Sequence, residues 1–185
     1  MSFDSVIINL LETIYFFLPA AFANMAPVFV KKLNFLNYPI DSNKTFRGKR
    51  IFGKNKTWRG MIFAIIFSIA LIYLQNYLYS FSWAKDISLI DYTNVNLILL
   101  GFLFGFGAML GDLIESFFKR QFDIKPGSKL LIFDQTDWVL GSGILTFIYL
   151  GISWEYLLGA FIIFLFLHIL VKHIGYYIGL EDKKW

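Results

Sequence analysis

The sequence has no cysteine, which excludes a disulfide framework, a thiolate nucleophile and a Cys-ligated zinc site. Only two histidines, His168 and His173, occur among 185 residues. Charge is scarce too: Asp, Glu, Lys and Arg make up 16% of the chain, against about 25% in an ordinary soluble domain. The first residues lack a basic run, and the first apolar stretch carries Asp4 and Glu12, so no cleaved signal peptide is expected. What fills the sequence instead is apolar. Hydrophobic residues reach 57% and aromatics 20%, and mean hydropathy is +0.61. This composition predicts an all-α integral membrane protein forming a single domain over residues 1–185.

A spanning helix needs about 20 mostly apolar residues. The candidates lie at 6–30, 61–79, 95–118, 138–153 and 154–178, which predicts a bundle of about five transmembrane helices. Pro19 and Pro27 are expected to kink the first span or break its last turns. The fourth is short, so its helix is expected to begin before Asp137. Tyr73, Tyr77, Tyr79 and Trp83 look like an interfacial aromatic belt. An odd number of spans puts the termini on opposite sides. Sixteen of the 17 Lys and Arg residues then share one side, and only Lys85 falls on the other. The excess of cations marks the cytoplasmic side. A multi-pass protein of the cell membrane is expected, with polar cytoplasmic loops, an external N-terminus and a cytoplasmic C-terminus.

The polar exceptions gather in two places. Residues 111–141 hold five acids and four cations between two apolar runs. Asp112 lies seven residues before Lys119, about 10 Å deeper along a helix. Asp112, Glu115, Ser116 and Lys119 share one helical face. An ionisable residue inside a span is a functional candidate, with a structural ion pair as the alternative. Asp134 and Asp137 open the next span. A helix N-cap would account for Asp137 alone, but less easily for two acids. Carboxylates so spaced suit a hard divalent cation, which makes Asp112, Asp134 and Asp137 the candidate metal ligands. Lys119, Arg120, Lys125 and Lys129 could hold phosphates.

The second place is the loop at 31–59, with nine cations. Lys54, Lys56, Thr57 and Arg59 crowd the start of the following helix, where free N–H groups favour anions. Topology alone could also explain these charges. The P-loop spacing is absent. Asn24 reads equally as a helix-packing contact or a ligand donor. Gly101, Gly105, Gly107 and Gly111 form two overlapping small-residue pairs and predict close helix packing. His168, Lys172 and His173 read as packing and snorkelling groups.

Taken together, Gly111-Asp112, Ser116, Lys119-Arg120, Lys125, Pro126-Gly127 and Asp134-x-x-Asp137 resemble the signature of membrane CTP-dependent cytidylyltransferases. Residues 23–28 (Ala-Asn-Met-Ala-Pro-Val), Asp41, and the run 48–60 with its Lys-Thr-Trp-Arg-Gly resemble the CDP-archaeol synthase family more narrowly. The resemblance covers nearly the whole chain. It implies transfer of CMP from CTP to an unsaturated archaetidic acid, a prenylated glycerol phosphate, with pyrophosphate released and Mg2+ required. It implies catalytic roles for Asp112, Lys119, Asp134 and Asp137. Asn24, Lys54, Lys56, Thr57, Arg59, Ser116, Arg120, Lys125, Pro126 and Gly127 would contact CTP. Glu115 has no counterpart in the motif and is expected to matter less. No nucleic-acid partner is expected. The other readings are a phosphatidate cytidylyltransferase making CDP-diacylglycerol, an ion or proton transporter using the intramembrane acids, and a scaffold without catalysis.

Overall fold

Long apolar runs become long helices. The computed structural model describes residues 3–124 and 133–177. Five long helices build the bundle: α1 (Phe3–Phe29), α2 (Trp58–Leu78), α4 (Leu97–Gln121), α5 (Phe133–Leu150) and α6 (Trp154–Tyr177). A five-residue helix, α3 (Ser82–Asp86), and a 3-10 turn (Tyr92–Asn94) sit between α2 and α4. Three helices are long and apolar enough to cross a membrane: α1 from Ser5, α2 and α4. Helix α6 contributes a shorter apolar stretch, Trp154–Leu170. Helix α5 has 18 residues and carries Asp134 in its first turn.

Local chemistry sets the helix ends. Thr57 caps α2, its hydroxyl accepting from the Gly60 amide at 3.3 Å. Asn96 caps α4 by accepting from the Leu99 amide at 3.0 Å. Gly151, at φ +67, ends α5 in the left-handed region and returns its amide to the Phe147 carbonyl. The prolines do not act as expected. Helix α1 is continuous through both Pro19 and Pro27. Pro27 falls in the last turn, where little helix remains to be bent, and Pro19 is fully buried among neighbouring helices. As anticipated, α5 begins before Asp137, so that residue is not an N-cap.

Helix α4 is the central member, packing against α5, α2 and α1. Its Phe104 meets Phe16 of α1 at 5.0 Å between ring centroids, and Phe16 reaches Phe147 of α5 at 5.8 Å. Phe17 extends the cluster to Phe164 of α6 at 5.6 Å. These edge-on ring contacts fill the core. The helices alternate in direction, so the 30–57 loop, the end of α4 and the start of α5 share one end of the bundle. That end carries the charges.

Within the 30–57 loop, strands β1 (Thr45–Phe46) and β2 (Lys49–Arg50) form a two-stranded antiparallel hairpin. Its turn, Arg47–Gly48, has positive φ at both residues, 53° and 78°, the backbone of a tight primed turn. The hairpin is tied to α4. The Lys49 ammonium donates to the Gln121 carbonyl at 2.8 Å and pairs with Asp123 at 2.5 Å.

Candidate active site

The small residues of α4 have two separate jobs. Gly101 and Gly105 face α2: a Cβ on either would lie 2.6 Å from the Cα of Ile69 or Ile65. Gly107 and Gly111 face α5. A Cβ on Gly111 would lie 2.0 Å from the Asp137 carbonyl oxygen, and one on Gly141 would lie 2.2 Å from the Gly107 carbonyl. Real Cβ atoms do not approach so closely, so these glycines set the contact between α4 and α5. The contact has a chemical consequence. Side chains one residue or one turn beyond Gly111 are brought directly against the first turns of α5.

There Asp112, Glu115 and Asp137 converge. One carboxylate oxygen from each lies within 4.8 Å of the others. All three donors are carboxylate oxygens and all are half-buried, a donor set suited to a hard divalent cation. This trio differs from the expected one. Asp134 is drawn to the Lys119 ammonium at 2.8 Å, and Lys119 also pairs with Glu115 one turn earlier. Glu115 therefore enters the acid group, and Asp134 sits beside it, against both Glu115 and Lys119. Lys56 reaches across from the loop and donates to both oxygens of Asp112 at 2.6 Å.

Two spaces border the acid group. The first is a cationic cleft of about 400 Å³. Arg50, Lys54 and Lys56 line it from the loop, and Glu115, Ser116, Lys119 and Arg120 from α4. Lys119, Arg120, Lys54, Lys56 and Ser116 were expected here. The second is an apolar groove of about 570 Å³ between α4 and α5, lined by Ile114, Phe118, Phe122, Leu140 and Ile144, with Glu115 and Asp137 at its edge. Glu115 borders both spaces. The other candidates fall elsewhere. Thr57 lines a small pocket of about 40 Å³ beside Asp112 while its hydroxyl caps α2. Arg59 is buried and donates to the Leu33 carbonyl, holding the loop that follows α1. Asn24 is half-buried on α1. Lys125, Pro126 and Gly127 lie outside the described residues.

Asp41 organises the loop. Its carboxylate accepts from Arg50 Nη2 at 2.6 Å and from the amides of Gly53 at 2.9 Å, Asn43 at 3.0 Å and Phe52 at 3.1 Å. Burial alone would raise its pKa, but these four donors outweigh it and hold the group down at about 2. It is ionised across the physiological range.

Sequence reasoning missed Glu115, Arg50 and the role of Asp41. Glu115 could have been found from its position one turn after Asp112. The motif has no counterpart for it, and that set it below Asp134.

Comparison with known proteins shows the family. A family described as CarS-like, CDP-archaeol synthase, matches residues 6–185. A CDP-archaeol synthase from Pyrobaculum islandicum is 34% identical over 179 residues, covering 95% of this chain and 100% of that protein. One from Staphylothermus marinus is 35% identical, covering 92% and 90%. A solved intramembrane enzyme for archaeal membrane lipids biosynthesis superposes with a TM-score of 0.68 at 27% identity, covering 88% of this chain and 93% of its own. A five-helix membrane bundle with three convergent carboxylates, matched over nearly its whole length, thus belongs to the CDP-archaeol synthase family.

Proposed function

We propose that the chain transfers CMP from CTP to an unsaturated archaetidic acid, releasing pyrophosphate and leaving the CDP-activated diether lipid. The carrying observation is Glu115, a member of the three-acid group that lines both a cationic cleft and an apolar groove. A water-soluble polyanion suits the cleft and prenyl chains suit the groove, so their reacting phosphates would meet at the carboxylates. An acceptor-phosphate oxygen bonds to the α-phosphorus, and the bond from that phosphorus to the bridging oxygen of the β-phosphate breaks. Such displacement is mostly positioning and charge neutralisation. Lys54, Lys119 and Arg120 neutralise the triphosphate, and Ser116 lies beside them. Lys56 orients Asp112. Asp112, Glu115 and Asp137 would hold Mg2+, which when bound neutralises charge on the phosphates. The test is incorporation of tritiated CTP into a lipid-extractable product, with diether and diester glycerol phosphates compared as acceptors. Labelling of the diether lipid supports the reading. Preference for the diester favours a phosphatidate cytidylyltransferase, and no labelled lipid overturns the proposal.

The cation distribution supports a cytoplasmic cleft and an external N-terminus. The chain has no native cysteine, so single cysteines at Ser42 and Ser88 report topology cleanly. An impermeant thiol reagent applied to intact cells should label position 88 and not 42. The opposite pattern inverts the topology.

No protein general base is needed, because the acceptor is already anionic, with a second phosphate pKa of about 6 by analogy with phosphorylated side chains. His173 contacts the Ile169 carbonyl of its own helix at 2.9 Å, and neither histidine lines the cleft. His168→Gln and His173→Gln should each retain at least about half of the wild-type rate. The rate should rise as the lipid phosphate loses its second proton, then level off between about pH 7 and 9. A well-folded histidine variant that loses most of its rate together with this pH step would contradict the base-free mechanism.

A further inference from the structure

We infer that Arg50 is a phosphate ligand of the bound nucleotide and that Asp41 is the positioning residue that aims it. This rests on the reading of the cationic cleft as the CTP site. Arg50 lies on β2 of the hairpin and lines that cleft opposite Lys119 and Arg120 of α4. Its guanidinium is only partly used. Nη2 donates to Asp41, while Nε is buried without a hydrogen-bond partner among the described residues. Arg120, facing it across the cleft, likewise has a buried Nε without a partner. Buried donors in native proteins are normally satisfied, so two unsatisfied guanidinium donors lining one cleft call for an acceptor. A guanidinium presents a planar fork of five N–H groups that matches phosphate oxygens in pairs.

Asp41 fixes that fork. Its side chain is fully buried, whereas that of Arg50 is 31% exposed. One end of Arg50 is thus anchored in the loop and the rest remains available to the cleft. The same carboxylate gathers the amides of Phe52 and Gly53, and this turn leads directly into Lys54 and Lys56. Gly53 in turn rests against the Arg120 side chain, where a Cβ would lie 3.9 Å from Cδ. One buried acid therefore holds Arg50 directly and anchors the turn that precedes Lys54.

The experiment measures KM for CTP, KM for the lipid acceptor and kcat, with binding of labelled CTP in the absence of lipid and thermal stability in detergent. Arg50→Ala should raise KM for CTP about 10- to 100-fold, the scale of one charge-assisted hydrogen bond. KM for the lipid should stay within about twofold. Added guanidinium should restore part of the CTP affinity of Arg50→Ala. Arg50→Lys keeps the charge beside Asp41 and loses the fork, so it too should bind CTP about tenfold more weakly. Asp41→Asn should weaken CTP binding in the same direction, and the loss in the Asp41→Asn/Arg50→Ala double variant should fall clearly short of the sum of the two single losses in free energy. If Arg50→Lys is as stable as the wild type and binds CTP within twofold of it, the assignment is overturned. Strictly additive effects of the two substitutions, or no response to guanidinium in a folded Arg50→Ala, overturn it as well. Failure of the wild type to transfer CMP would instead remove the underlying reading of the cleft.

Discussion

Asp112→Asn, Glu115→Gln and Asp137→Asn should each lower cytidylyl transfer by on the order of 10²–10³-fold, the scale of removing one preorganised electrostatic partner. The three carboxylates converge within 4.8 Å, so neutralising any one removes a third of the charge available to a divalent cation. The changes are isosteric, and the bundle should remain folded. Asp134→Asn should cost less, because Asp134 lies at the edge of the convergent trio, paired with Lys119. This reverses the order that motif matching alone suggests, in which Glu115 is the dispensable acid. Initial rates over a magnesium titration, with stability checked in detergent, provide the measurement. A Glu115→Gln protein with a near wild-type rate at all magnesium concentrations would remove Glu115 from the site.

Gly111→Ala is the second large effect. Its methyl would lie 2.0 Å from the Asp137 carbonyl oxygen, so α4 and α5 must separate locally. Overpacking of this kind costs about 1–3 kcal/mol. The loss of activity should be larger than this destabilisation implies, because Asp137 moves away from Asp112 and Glu115. A misplacement of about 1 Å can cost on the order of 10²-fold in rate. Gly105→Ala is the matched control. Its methyl would strike Ile65 of α2 at 2.6 Å, a comparable clash on the side of α4 away from the acids. At temperatures where both variants are folded, Gly111→Ala should be slower by about tenfold or more. Equal rates would mean that the α4–α5 contact does not control the acid geometry.

Much of this arrangement is legible in the residues. Apolar run length locates the long helices, and the depth of Asp112 within a span singles it out. The paired glycines announce close packing, but not that one pair serves α2 and the other α5. That distinction depends on a rotation of about 100° per residue about the helix axis and on where the neighbours lie. Pro19 and Pro27 suggest a break that does not occur, because tertiary packing in a bundle compensates for a missing N–H. Glu115 and Asp134 both pair with Lys119, and spacing along the chain cannot say that Glu115 is the one whose carboxylate converges with Asp112 and Asp137. Arg50 is one of nine cations in a loop whose charge topology already explains. Only the hairpin and its anchor on Asp41 show that this one faces the cleft.

The most direct measurement follows two phosphorus labels in one reaction. Purified protein in lipid vesicles receives the unsaturated diether glycerol phosphate, magnesium, and CTP labelled at either the α- or the γ-phosphorus. The account predicts that the α label enters the organic phase with the lipid, the γ label appears in pyrophosphate, and both signals vanish in Asp137→Asn. Label from the γ-phosphorus on the lipid, or inorganic phosphate as the released product, would mean that the bond broken is not the one next to the α-phosphorus, and would contradict the account.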